Sequence, residues 1–423
     1  VNKPEQLFAA NGVRLTTVFA ERFKRDVFSL YLVLPLQKET AAANALLSRV
    51  LTHGSEKFPT LYHINRELDR LYGASLSSHV MKFGEQQVLQ FSLTAIKGRF
   101  TFDGKDISMA CVNFLFDILL HPFFVNGKFS EAVVENERKN LIDEINGIVN
   151  DKRAYALRRM LSQMCRNEAF GILESGTAED VRAVTQEALL AAWQRVVKEA
   201  RIEIVAVGET DRVAMAEAAA QAFASVERSP IADFSTEIIT EVNEITRLTE
   251  EMNVEQGKLV MGFRTGVAAP QDTMALAFAN SIFGSGVSSK LFLIVREQMH
   301  LCYYCASRVD AFKGILYVQS GVDAANAERA EAAILDQLNA VKQGDFTEKD
   351  QDAARVSMRN SYLSVEDDPA LLQAWYFREL LRGTLRTPQE VAKTLEGYTK
   401  AELVNAFSGV SLDTVYLLKG NKS

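Results

Sequence analysis

Apolar residues along this chain recur at two spacings, and the switches between them mark out its elements. Strand-like runs cover Val13–Phe19 and Val27–Leu36, and helical spacing follows from about Glu39 to Leu51. The polar stretch Thr52–Pro59 reads as a loop, after which Ile64, Leu68 and Leu71 share one face of a helix over Leu61–Leu71. Two further strands are predicted at Ala74–Lys82 and Gln86–Ala95. Helices follow at Ile107–Leu120, Ser130–Val149 and Arg153–Arg166, with shorter helical patterns before Glu199 and a strand Arg201–Val207 that Gly208 ends.

The second half repeats this order. NRELDRLYGAS from Asn65 corresponds to VREQMHLCYYC from Val295, each a helix end passing into a strand. FSEAVVENERKNLIDEI from Phe129 corresponds to FTEKDQDAARVSMRNSY from Phe346, and both open with a Ser or Thr N-cap. A helix, then a strand, then Gly recurs as WQRVVKEARIEIVAVG and as ELVNAF followed by DTVYLLKG. The chain is therefore expected to be α+β, built of two homologous domains at 1–225 and 242–423 joined by a polar linker at 226–241. Strands in adjacent pairs with helices grouped between them favour antiparallel sheets with helices on one face.

One stretch of the second half concentrates candidate chemistry. In FGSGVSSKLFLIVREQMHLCYY, Phe283 to Tyr304, a flexible Gly-Ser loop enters a helix with Leu291, Ile294 and Val295 at helical spacing. Arg296 closes that helix and Tyr303 lies in the strand opening at Leu301, so the two leave neighbouring elements close together. A guanidinium and a phenol so placed can both donate to a peptide carbonyl. They can equally be an Arg ending a helix and a Tyr in a half-buried strand.

Composition narrows the function. Charged residues make up 24% and apolar ones 48%, the balance of an ordinary globular chain, and the formal charge of -7 with interspersed Lys and Arg offers no basic stripe for nucleic acid. The longest apolar run, Val27–Leu36, is about half the roughly 20 residues needed to span a bilayer, and no leader pattern is visible. The 4 cysteines, Cys111, Cys165, Cys302 and Cys305, suggest a reducing, cytoplasmic setting. Cys302 and Cys305 form a lone CxxC on a strand, where residues three apart are expected to face opposite ways, so a structural role is favoured over a redox or metal pair. The 5 histidines, His53, His63, His79, His121 and His300, contain no HxxxH pair. Only His63 with Glu67 has ligand-like spacing, and a polar surface pair accounts for it. His53 and His121 read as loop or helix-end residues, and no GxSxG elbow or Cys/His arrangement offers a nucleophile.

With these elements in place the chain resembles the M16, or pitrilysin-type, zinc peptidases over nearly its whole length, in particular the non-catalytic bacterial subunits that lack the HxxEH motif. The resemblance implies a clamshell of two halves of the LuxS/mitochondrial-processing-peptidase type around a peptide chamber. Aligned on LTHGSEKFPT, the family's HxxEH falls on Ala45-Leu46-Leu47-Ser48-Arg49, where no motif residue is kept. Neither Ala45, Ser48 nor a permanently charged Arg49 can supply the neutral imidazoles that zinc wants, and Arg49 would repel the ion. The family's later ligand pattern ERxxxxxE is matched by Glu137-Arg138 through Glu144, so Glu144 stands as a vestigial ligand, with Glu137 two turns away on the same face. Glu144 is expected to pair with an Arg or to be solvated. No catalytic residue, metal or cofactor is therefore expected.

The resemblance also implies that Arg296 and Tyr303, at the family's seven-residue spacing, grip substrate peptide. Gly284, Ser285 and Gly286 take the place of the family's glycine-rich substrate loop. It further implies that an extended peptide adds as an edge strand. The expected function is a catalytically silent, cytoplasmic M16-type subunit handling peptide or unfolded polypeptide, in a heterodimer with an HxxEH-bearing paralogue or in a homodimer. Two alternatives stay open: an active zinc peptidase with an unconventional site, and a scaffold for another enzyme, such as one modifying a translation factor.

Overall fold

The strand β3 (Arg25–Pro35) is buried on every residue from Asp26 to Leu34, which requires protein on both faces of its sheet. The computed structural model, which describes residues 3–231, 234–267 and 273–420, shows how this is met. Of the expected linker 226–241, residues 232–233 lie outside the described residues. The chain forms two compact units, neither contiguous in sequence: Val1–Asn146, Ile172–Ser235 and Ser364–Thr387 make one, and Gly147–Gly171, Thr236–Leu363 and Pro388–Ser423 the other. The stretches 1–225 and 242–423 thus each contribute one segment to the unit built mainly by the other.

In the first unit β3 belongs to a six-stranded sheet with β1 (Glu5–Ala10), β2 (Val13–Phe19), β4 (Ser75–Phe83), β5 (Gln86–Ile96) and β6 (Arg201–Gly208), in the order β1-β2-β6-β3-β5-β4. Leu30, Leu32 and Leu34 of β3 face helices Lys38–Val50, Ser108–Leu120 and Gln186–Glu199, whose apolar stripes close the main core. The opposite face is covered by helix Pro369–Leu381, started by Asp368 as N-cap and Pro369 in its first turn. Its Phe377 stacks on Tyr31 of β3 with ring centroids 3.7 Å apart, and its buried Gln373 donates to the Val205 carbonyl at 3.0 Å.

The second unit repeats the plan with β7 (Thr246–Met252), β8 (Gly257–Arg264), β9 (Cys302–Asp310), β10 (Ile315–Val322) and β11 (Ser411–Gly420), ordered β7-β11-β8-β10-β9. Helices Thr273–Phe283, Ala327–Lys342 and Lys400–Ser408 close its core on one face. Helix Lys152–Met164 covers the other, packing Ala156, Met160 and Met164 against Val260, Ile315 and Tyr416. Gly262 makes the close approach possible, since a Cβ there would lie 2.6 Å from the sulfurs of Met160 and Met164. Just beyond this helix, buried Glu168 accepts from Arg264 and Lys313. Burial alone would raise the Glu168 carboxyl, but those two cations outweigh it and hold the group below its ordinary value.

Without β1, the first sheet reads β2-β6-β3-β5-β4, strand for strand the order of the second, so the internal repeat is a repeat of topology. Two features go beyond the sequence reading. Each sheet contains one parallel pair, β2 with β6 and β7 with β11, because the last strand of each unit returns from a long helical excursion and slots in beside the first. Among the described residues each sheet also carries one long helix on the face expected to be bare. Among the described residues no helix is long and apolar enough to cross a membrane.

Candidate functional site

Helix Lys38–Val50 buries Ala45 and Ser48 toward the core and turns Arg49 outward. The Ser48 hydroxyl donates to the Ala45 carbonyl at 2.9 Å, so its proton is committed to the helix backbone. Across from Arg49, helix Glu131–Gly147 presents Glu137 and Glu144, two turns apart. Arg49 Nη2 donates to Glu144 Oε2, and Arg49 Nη1 lies 3.6 Å from Glu137 Oε2. Glu137 is buried and takes hydrogen bonds on Oε1 from Asn140 Nδ2 at 3.0 Å and Asn136 Nδ2 at 3.2 Å, with His53 Nε2 also 3.2 Å away. The acidic pair therefore has its cation already, in the form of a side chain.

Zinc does not fit this set. The position needs three or four lone-pair donors at about 2.0 to 2.3 Å, and the helix offers the methyl of Ala45, a committed hydroxyl and a guanidinium that has no lone pair to give. Among the described residues no three His, Cys, Asp or Glu side chains gather as a ligand set. His53, expected as a loop residue, joins this cluster. Its signal was its place four residues beyond Arg49, on the turn Leu51–His53 that continues the helix. His63 and Glu67 do not form the expected pair: His63 Nδ1 bonds Thr60 Oγ1 at 2.8 Å, while Glu67 takes a two-pronged bond from Arg70 at 2.6 and 2.8 Å. Glu67 prefers the guanidinium because only that partner satisfies both its oxygens.

In the second unit the loop after helix Thr273–Phe283 is tied rather than flexible at its start. Gly284 N donates to the Asn280 carbonyl at 2.8 Å and Ser307 N to the Gly284 carbonyl at 2.9 Å, clipping the loop to β9. A Cβ on Gly284 would lie 2.4 Å from Ser307 Oγ, so this glycine faces the interior and serves packing. Ser285 and Gly286 stay exposed, with Gly286 at φ +118, where a side chain is disfavoured.

The following helix, Leu291–Gln298, is of the wide π type, which swings Ile294 off the buried face that Leu291 and Val295 share. Its end delivers Arg296, whose guanidinium lies over the Phe292 ring at 4.6 Å, with Glu297 Oε1 3.5 Å away. His300 then turns the chain at φ 52 into β9. Arg296, His300, Tyr303 and Asp323 line one pocket of about 340 Å³. Tyr303 donates to Asp323 Oδ1 at 3.2 Å, and this bond raises its phenol, so the hydroxyl stays neutral and keeps its oxygen lone pairs for a donor in the pocket. Asp323, beyond the end of β10, was not singled out from the sequence. Nothing in the local pattern ties it to Tyr303.

The CxxC departs from expectation. Gly321 pairs with Tyr304 but Val322 with Cys302, so Tyr303 is an extra residue, a β-bulge. The bulge resets the alternation, and Cys302 and Cys305 both face the core of the second unit instead of opposite sides.

A family model described as the peptidase M16 inactive domain matches residues 183–358. The chain is 30% identical over 412 residues to the "Probable inactive metalloprotease YmfF" of Bacillus subtilis (strain 168), covering 97% of this chain and 96% of that one. A crystal structure of a conserved protein from Enterococcus faecalis V583 matches with a TM-score of 0.88 and 26% identity across 100% of both chains. The structure of a peptidase M16 inactive domain from Pseudomonas fluorescens matches with a TM-score of 0.81, over 100% of this chain and 98% of that one. At 16% identity it speaks to the fold alone.

Proposed function

The chain belongs to the M16 peptidase family, and on that premise we propose that it is a catalytically silent subunit that binds extended peptide. In this reading it contributes one part of a peptide chamber, completed by a related chain with an intact HxxEH helix. The observation that carries the silence is the Arg49 guanidinium paired with both Glu137 and Glu144, where a peptidase of this family would need an ion. A water bound there meets no Lewis acid, so its pKa stays near that of bulk water and hydroxide attack on an amide is out of reach.

Peptide handling is supported by what is retained. Arg296 offers guanidinium N–H donors to a carbonyl or carboxylate, and Tyr303 Oη adds an acceptor for a peptide N–H. The sheet of the first unit ends in the edge strand β4, on which an extended peptide would add as a further strand. Such binding rests on backbone hydrogen bonds and so selects for an unfolded segment rather than a sequence.

The test is to incubate the purified full chain with unstructured peptides and zinc while recording both cleavage and binding. The reading expects no chelator-sensitive cleavage, and a Kd raised about tenfold or more by Arg296→Ala, the loss of a charge-assisted hydrogen bond. Cleavage abolished by Glu144→Gln would overturn the silence. Binding unchanged in Arg296→Ala and Tyr303→Phe would overturn the role of the pocket.

A further inference from the structure

The cysteine pair has no part in that reading, yet its setting is unlike that of a packing residue. Cys302 lines the Arg296 pocket, while Cys305 lies deeper in the core. The bulge at Tyr303 places both sulfurs on one face, and Gly321 permits it, since a Cβ there would lie 2.5 Å from the Tyr304 ring. Ser320, paired with Cys305 across the strands, is fully buried, and among the described residues no group stands at hydrogen-bonding geometry to its hydroxyl, which faces the two sulfurs as a polar neighbour.

We propose that Cys302 is the reactive thiol of this chain, a modification site that takes small-molecule disulfides entering through the Arg296 pocket.

The thiol of Cys305 donating to the Cys302 sulfur lowers Cys302 most; burial opposes this, and Ser320 and the charge of Arg296 assist, leaving Cys302 at about 7. Cys305, as the donor, is raised. Of the other titratable groups lining the pocket, Asp323 is engaged by Tyr303 and Glu297 by Arg296, and His300 is the third. The lowering favours the thiolate of Cys302, the form that attacks. In the step, the Cys302 thiolate forms a bond to one sulfur of R–S–S–R, the S–S bond breaks, and R–S⁻ leaves and takes a proton from water. Cys302 is oxidised, one reagent sulfur is reduced, and no further oxidant is required.

The adduct is expected to persist rather than collapse to an internal disulfide. Cys305, raised well above an ordinary thiol by its bond to Cys302 and by burial, is a poor attacking group toward the adduct. The remaining thiols serve as internal controls. Cys111 and Cys165 are buried and pushed up to about 12, chiefly by desolvation.

The experiment treats the native full chain with oxidised glutathione between pH 5.5 and 8.5 and maps the modified peptides by mass spectrometry. The expected result is glutathione on Cys302 alone, with a rate midpoint below that of an ordinary thiol that moves upward in Arg296→Ala, and labelling of all four cysteines only after unfolding. Cys302→Ser removes the native-state label. The proposal fails if Cys302 stays unmodified until the chain unfolds, if Cys111 or Cys165 reacts as fast, or if the sole product is a Cys302–Cys305 disulfide.

Discussion

Arg49 decides the chemistry of its helix, because a guanidinium is a fixed cation with donors in a fork and no lone pair. It neutralises two carboxylates without any ion, and one of them, Glu137, is buried. Arg49→Ala leaves Glu137 with His53 and two asparagines but no permanent charge. We expect a loss of about 1–3 kcal/mol, read from the midpoint of urea unfolding at constant slope. A change within a few tenths of a kcal/mol would mean that the pair is ornamental, as many exposed ion pairs are.

A second residue makes stability depend on pH. Asp26 sits buried at the end of the first sheet, accepting from the Glu209 N–H at 3.1 Å, with its Oδ1 where a side chain on Gly208 would begin. Desolvation raises it from 3.8 to about 6, against the lowering by the Glu209 N–H and by Lys97. The folded state therefore holds its proton more tightly than the unfolded chain, and stability from this group is full below about pH 4 and lost as pH rises through 6. The upper bound is about 3 kcal/mol. Asp26→Asn should flatten this part of the profile in unfolding measurements between pH 4 and 7, and an unchanged slope would remove Asp26 as its source.

Among the elements, the helices that cover the second faces of the sheets tie each half of the sequence to the unit built by the other. Phe377 shows what one contributes: its ring lies parallel to Tyr31 and meets Phe83 edge-on at 5.7 Å. Phe377→Ala should cost about 3–5 kcal/mol, measured by chemical unfolding. A cost under 1 kcal/mol would mean that the helix is dispensable to the sheet.

This scale also shows what the sequence could reveal. The run Val27–Leu36 predicts a strand without alternation, and the two-faced burial of β3 is its physical meaning. The helix that supplies the second face lies far along the chain, Tyr31 and Gln373 being 342 residues apart, and no local pattern encodes that distance. β1 has no signature in the sequence, because its residues EQLFAA are all exposed or half-exposed and so carry no buried stripe. The bulge at Tyr303 was invisible for another reason: register depends on the partner strand, and Gly321 reads as a glycine within a strand until Tyr304 is seen against it.

For the molecule as a whole, the two copies of one scaffold carry different side chains at corresponding places. Corresponding helix-to-strand junctions lead into β4 in the first unit and into β9 in the second, and only the latter is flanked by the pocket of Arg296, Tyr303 and Asp323. Duplication was legible because both copies keep the same apolar frame. The candidate sites were legible only in part, because motif positions such as Arg49 and Arg296 can be counted along the chain, whereas His53 and Asp323 enter through tertiary contact.

In this protein the Arg49 side chain occupies the electrostatic place of a metal ion. The most direct measurement is the metal content of the untagged full chain after equilibration with excess zinc and gel filtration. With Arg49 in that place, zinc should stay well below one ion per chain, for the native protein and for Glu144→Gln alike. One zinc per chain in the native protein, lost in Glu144→Gln, would contradict it.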